Sequence, residues 1–178
     1  MSNEDGSGRL PGPTPSFTLH DVKLNAFNFS TATSSLTSNL QITISYGNPS
    51  FEAGIYFEQF DVYASYKTQQ ITLPTMIPPT YLGLNENNTP WSTYLNGTEV
   101  PVPPDVAASL ARDVTAGELW IDVKANGRLR SKNAWIRTAR YRVKVICPAY
   151  IMLGNKNGSN AVGSAVHLQP FVEGCRIS

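Results

Sequence analysis

The sequence is poor in charge, in sulfur and in imidazole, and each shortage closes off a class of function. Of 178 residues only 15% are Asp, Glu, Lys or Arg, and the formal net charge is +1, so no global field gathers nucleic acid. The two cysteines, Cys147 and Cys175, and the two histidines, His20 and His167, are not spaced as a redox pair or a structural zinc site. The histidines read as surface or satisfied groups. No stretch reaches the roughly eighteen apolar residues of a membrane helix. Residues 1–16 lack the apolar core of a signal peptide, so any targeting segment is expected upstream. A Gly-x-Ser-x-Gly elbow and a phosphate-binding Gly-Lys-Ser/Thr motif are both missing. The glycine-rich run Gly154-Asn155-Lys156-Asn157-Gly158-Ser159 has no terminal Lys-Ser/Thr and no following helix, and it reads as a turn. Glu52, Glu58 and Asp61 lie close in sequence, but a solvated strand face accounts for them better than acid–base work. No enzymatic activity, cofactor or metal is expected.

What the chain does have is β pattern. Its length fits one domain with a single core. Residues 1–15, rich in Gly and Pro, read as a flexible arm or tag, and residues 16–178 as the folded domain. Phe17, Leu19, Val22 and Leu24 mark a first strand with an irregularity near Asp21. A polar connection follows over 30–38. Leu40, Ile42, Ile44 and Tyr46 alternate with Gln41, Thr43 and Ser45, a period of two with one dry face. Gly47, Asn48 and Pro49 end that strand. From Gly54 to Tyr66 the apolar phase slips between Phe57 and Phe60, which predicts a β-bulge near Glu58-Gln59. A strand is predicted over 70–76, with Pro74 at an edge or an end. A loop is predicted over 77–90 and β structure over 91–100. Pro103-Pro104, then Val106, Leu110 and Val114 on one face, then Gly117, predict a helix over 104–116. Strands are predicted from Leu119, over 134–147 and within 164–177, with a polar turn over 154–160. Seven or more strands with one helix argue for an all-β fold, an antiparallel β-sandwich.

Several of these pieces resemble one plant family. The opening Pro15, Phe17, Leu19, Val22 and Leu24, followed by Phe27-Asn28, are similar to the first strand of the harpin-induced-like (NHL) proteins, which carry a late embryogenesis abundant group 2 domain. So are Asn48-Pro49 with Gly54-Ile55-Tyr56-Phe57-Glu58, then Pro78-Pro79-Thr80-Tyr81-Leu82-Gly83, Val100-Pro101-Val102 and Gly127-Arg128-Leu129-Arg130, together with the paired cysteines near the C-terminus. Leu82 stands where the family has glutamine, and Lys132-Asn133-Ala134 where it has Lys-Val-Gly. The resemblance covers roughly Pro15 to the C-terminus. It implies an immunoglobulin-like or fibronectin-III-like sandwich without enzymatic activity. It also implies a plasma-membrane protein of pathogen defence and stress signalling, with one N-terminal transmembrane helix ahead of a domain facing the apoplast. The alternative is a soluble cytosolic protein that protects during desiccation. A ligand-carrying sandwich comes third and an enzyme last.

Four Asn-x-Ser/Thr sequons, at Asn28, Asn87, Asn96 and Asn157, are glycosylation candidates for an apoplastic domain and idle in a cytosolic one. Asn87 and Asn157 are expected in turns. Tyr56, Phe57, Phe60, Tyr63 and Tyr66 read as core and rim before they read as a ligand surface. Cys147, in phase with Val143 and Val145, should point inward, and a bond to Cys175 is expected; two buried thiols are the alternative a cytosolic protein would show. Eight of the fourteen Lys and Arg fall between Lys124 and Lys144 with no acid among them: Lys124, Arg128, Arg130, Lys132, Arg137, Arg140, Arg142 and Lys144. Lys124, Arg128 and Arg130 share one strand parity, and Arg140, Arg142 and Lys144 another. With a turn near 131–134 the two rows form one positive patch. It would dock on an anionic wall polysaccharide or lipid headgroups, or be neutralised by acids such as Glu58 or Asp61. A protein partner is the other candidate; nucleic acid is not expected, since no aromatics interleave with the cations.

Overall fold

The computed structural model describes residues 10–133, 138–157, 160–167 and 174–178. The described elements, in chain order, are β1 (Ser16–Ser30), β2 (Ser35–Asn48), β3 (Ala53–Tyr66), β4 (Gln69–Gln70), β5 (Thr75–Ile77), β6 (Thr80–Leu82), β7 (Glu86–Pro101), α1 (Pro104–Ala116), β8 (Glu118–Asn133), β9 (Thr138–Asn157), β10 (Asn160–His167) and β11 (Arg176–Ile177). Every pairing is antiparallel, in the order β4-β3-β8-β9-β10-β1-β2-β7, with β11 on β9 and β5 and β6 following β4 along β3. The sheet curls until its two ends meet. Leu73 N–H donates to the Asn96 carbonyl at 2.8 Å, joining the segment before β5 to β7. The result is an antiparallel β-sandwich with one helix, the expected class.

The alternations explain the core. Leu40, Ile42, Ile44 and Tyr46 of β2 are all buried, as are Phe57, Phe60, Val62 and Ala64 of β3. Phe17, Tyr46, Phe57 and Phe60 pack as a ring cluster, with centroids 5.1–6.4 Å apart. The expected irregularity near Asp21 is a register shift between Leu19 and Asp21, and the expected bulge lies between Phe57 and Gln59. Opposite that bulge sits Gly127. A Cβ there would fall 1.8 Å from the Gln59 carbonyl oxygen, so only glycine lets β8 approach β3. Gly127→Ala is therefore expected to lower unfolding free energy by on the order of 2 kcal/mol, read by denaturant titration. An unchanged midpoint would show that β3 can yield without cost. Gly97 has the same role at the seam, where a Cβ would meet the Ile71 carbonyl oxygen at 2.0 Å.

The helix begins and ends where its prolines and Gly117 place it. Gly117, at φ 83°, donates its N–H to the Asp113 and Val114 carbonyls. Leu110 is buried beneath it, and Tyr66 of β3 donates its hydroxyl to Asp113. Burial, then that bond, pushes the Tyr66 phenol far above its ordinary range; burial alone does so for Tyr141.

Several boundaries differ from the sequence pattern. The strand expected over 70–76 is two short ones, because Ile71 and Thr72 turn inward. Ile71 N–H donates to the Ala64 carbonyl, and the Thr72 hydroxyl accepts the Ala64 N–H. Pro74 thus lies at an end. The loop expected over 77–90 holds β6 and the first residues of β7, whose polar start pairs with the end of β2. β2 begins at Ser35 rather than after 38, and β9 runs through the expected 154–160 turn as far as Asn157. The described part of the arm, residues 10–15, also packs: Pro15 is buried, Leu10 lies against the core, and the Pro13 carbonyl accepts the Tyr141 hydroxyl at 2.7 Å.

Candidate interaction surface

The outer face of β3, β8 and β9 gathers the chemistry. The β8–β9 register sets Arg128 directly opposite Arg142 and Arg130 opposite Arg140, with Asn126 opposite Lys144 and Lys124 opposite Ile146. The two rows of cations do lie side by side, although residues 131–133, expected in the turn, are the end of β8. Arg137 lies outside the described residues. Like charges facing each other across a ladder repel, and β3 offers limited relief. The Glu58 carboxylate stands 3.5 Å from Arg130 Nε and 3.8 Å from Arg140 Nε. Gln59 Oε1 accepts from Arg128 at 3.0 Å, and the Arg130 guanidinium lies over the Tyr56 ring at 4.8 Å. Asp61 shares a shallow recess of about 270 Å³ with Arg128 and Arg142. Neutralisation by Glu58 is thus real but partial, since one carboxylate serves two arginines. Arg140, Arg142 and Lys144 remain exposed.

The motif residues converge at one end of this face. Asn48 is fully buried; its amide donates to the Ala53 and Gly83 carbonyls, each at 2.9 Å, and its Oδ1 accepts Ser50 N–H at 3.0 Å. Pro49 follows in the turn. Gly54 leaves room for Tyr81, whose hydroxyl oxygen would sit 2.2 Å from an added Cβ. Ile55 and Phe57 point into the core, while Tyr56 points outward between Tyr81 and Arg130. Gly83 N–H donates to the Glu86 carboxylate at 2.7 Å. Tyr56, Tyr81, Arg130 and Lys132 line an open cleft of about 460 Å³.

The remaining sequence candidates are scattered. Asn28, Asn87 and Asn96 are exposed. Asn87 lies within β7 rather than in a turn, because the polar start of that strand pairs with β2. Asn157 ends β9, and its side chain is outside the described set. Asn96 Oδ1 accepts from Asn39, which in turn accepts from Asn25, an amide ladder across β7, β2 and β1. His20 bonds the Ser45 hydroxyl at 2.8 Å. The His167 side chain lies outside the described residues. Among the described residues no group of His, Cys, Asp or Glu is placed to hold a metal, and no helix is long and apolar enough to cross a membrane. Cys147 and Cys175 form a disulfide. Sequence reasoning missed the exposed apolar side chains at turns and strand ends, since alternation marks only what points inward. Phe51 is 72% exposed, and Trp120 packs at a tilt against Tyr150, with ring centroids 5.0 Å apart, on the outer face.

Fold and surface together define a disulfide-bonded β-sandwich with a cationic sheet face. The family described as late embryogenesis abundant protein matches residues 43–147. NDR1/HIN1-like protein 1 of Arabidopsis thaliana is 42% identical over 165 residues, 92% of this chain and 78% of that protein. NDR1/HIN1-like protein 12 of the same plant is 38% identical over 164 residues, 92% and 77% of the two chains. NDR1/HIN1-like protein 26 is 35% identical over 142 residues, 79% and 66%. The chain belongs to the late embryogenesis abundant family and, within it, to the NDR1/HIN1-like proteins.

Proposed function

We propose that this domain is a non-catalytic contact module of a plant defence and stress protein, held at the plasma membrane by an N-terminal anchor and facing the apoplast. Its partner is an anionic, carboxylate-bearing wall polysaccharide, and the β8–β9 face is the contact. The observation that carries this is the two directly opposed arginine pairs, Arg128 with Arg142 and Arg130 with Arg140, of which the Glu58 carboxylate bridges only the second. Folding places these like charges together against their repulsion, and a polyanion laid along the strands relieves it. The disulfide supports an oxidising compartment; in the cytosolic alternative Cys147 and Cys175 would stay reduced.

Binding to polygalacturonate at low salt is the test. The wild-type domain is expected to bind, and to release as ionic strength rises and the screening length falls to about 8 Å. Arg140→Gln, Arg142→Gln and Lys144→Gln together are expected to abolish the interaction while the thermal midpoint holds. A wild-type domain that ignores the polymer at low salt would show the reading to be wrong.

A further inference from the structure

One pole of the sandwich carries a second set of features that shares only Arg130, itself 3.5 Å from Glu58, with the opposed arginine pairs of the cationic face. β2 ends there and β3 begins, joined by the 49–52 turn; β6 ends there and β7 begins, joined by the 83–85 turn. Asn85 N–H donates to the Ser50 carbonyl at 2.8 Å, so the two turns are tied side by side. Each turn holds out one large apolar side chain, Phe51 at 72% exposure and Leu84 at 54%. Tyr81, just before the second turn, is 53% exposed.

The turns are built rather than loose. Ser50 Oγ accepts the N–H groups of Glu52 and Ala53, and Asn48 Oδ1 accepts that of Ser50. Asn85 takes a positive φ of 52° to close the second turn. Singly scattered apolar residues are ordinary on a surface. Two at the tips of adjoined, hydrogen-bonded turns are a surface with a purpose. The N–H groups of Ser50, Glu52, Gly83 and Asn85 and the Ser50 carbonyl are already hydrogen-bonded within the turns and their flanks, which lowers the cost of taking the tips out of water.

Beside the tips lies the cleft of Tyr56, Tyr81, Arg130 and Lys132. Lys132 stands opposite Gly54 and Arg130 opposite Tyr56 in the β3–β8 register. The cleft therefore opens next to the 49–52 turn, with an aromatic wall and two cations. Its two cations suit a phosphate, and apolar tips beside it suit the boundary between headgroups and acyl chains. Glu52 in the first turn and Glu86 at the start of β7 are also exposed, so the pole is not a purely electrostatic surface and apolar insertion leads. The chain also enters the sandwich here. Ser16 opens β1 opposite Gly47, and the Pro13 carbonyl is fixed to Tyr141.

We propose that this pole docks on a phospholipid bilayer, with Phe51 and Leu84 entering the interface and a headgroup phosphate held in the cleft between Tyr81, Arg130 and Lys132. The anchored topology proposed above would hold this pole toward the membrane, but the docking uses tips that the polysaccharide reading does not. With the pole on the bilayer, the Arg140–Lys144 row runs up the flank and stays open to the wall.

Cosedimentation with vesicles tests it, using the 178-residue chain. Wild type is expected to bind phosphatidylcholine vesicles weakly and vesicles containing phosphatidylglycerol more tightly. Phe51→Ser with Leu84→Ser is expected to weaken binding to both by at least about tenfold per side chain, from the apolar surface withdrawn. Both residues are exposed, so the thermal midpoint should hold. Lys132→Gln is expected to remove the added affinity for phosphatidylglycerol while sparing the weaker binding. Inorganic phosphate at equal concentration should not displace the vesicles, which separates a lipid headgroup from a free anion. Wild type that fails to sediment with either vesicle, or a Phe51/Leu84 variant that sediments like wild type, would overturn the proposal. The same variant should still bind polygalacturonate, and the Arg140/Arg142/Lys144 variant should still bind phosphatidylcholine, so either interaction can fail without the other.

Discussion

Reduction of the Cys147–Cys175 bond is expected to lower the unfolding free energy by about 3.5 kcal/mol, the loop-entropy value for the 28-residue separation. In a domain of this size that is a fall in thermal midpoint of roughly 10 °C. The local reason is the scale of what the bond secures. β11 is two residues long, pairing Arg176 with Ile146 and Ile177 with Val145. Ser178 adds a reciprocal pair of backbone bonds to Lys144, at 2.8 and 2.9 Å. So short a strand cannot hold itself against chain entropy, at roughly 1–2 kcal/mol per ordered residue. Cys147, buried on β9 opposite Val123, supplies the fixed end. Melting with and without reductant, and again with Cys147→Ala and Cys175→Ala together, measures the effect. In the reduced protein, amide exchange should speed up first at Lys144 and Ser178. Equal melting in the two redox states would mean that the C-terminal pairing stands without the bond.

The parts legible in the sequence were those set by local physics. Alternation marked the inward faces of β2 and β3, because a strand with one wet side cannot hide its period. The slip between Phe57 and Phe60 announced the bulge, and prolines with Gly117 bounded the helix. The parity of Arg140, Arg142 and Lys144 placed them on one outer face, where they stand. What stayed hidden was set by partners distant in the chain. β5 and β6 have three residues each, flank Pro78-Pro79, and are strands only because β3 offers an unpaired edge. The first residues of β7 read as loop from Glu86-Asn87-Asn88, yet they pair with the end of β2. The closing of the sheet rests on Gly97, which carries no pattern at all. Phe51 and Leu84 were hidden for the opposite reason. A lone apolar residue in a polar turn looks like noise until the two turns are seen tied together.

The motif residue with most at stake is Asn48. Asn48→Ala is expected to destabilise the domain by about 3 kcal/mol or more, and Asn48→Asp by more still. One buried amide closes three chain segments there. Its Nδ2 donates to Ala53 at the start of β3 and to Gly83 just after β6, and its Oδ1 takes the Ser50 N–H of the turn itself. Alanine leaves two carbonyls and one N–H without their partner, at about 1–3 kcal/mol for each group that water cannot reach. Aspartate keeps the acceptor but places a buried charge against two carbonyl oxygens that the amide had faced with its donors. Equilibrium denaturation of both variants, alongside Pro49→Ala as a control in the exposed part of the same turn, ranks the effects. The order expected is aspartate worst, alanine next and the Pro49 variant near wild type. The Asn48 variants should also weaken vesicle binding more than their stability explains, because Phe51 and Leu84 are held out by the turns that Asn48 ties. Asn48→Ala within 1 kcal/mol of wild type would mean that water or neighbouring groups take over the amide's bonds, and that these turns are held by the Asn85–Ser50 contact instead.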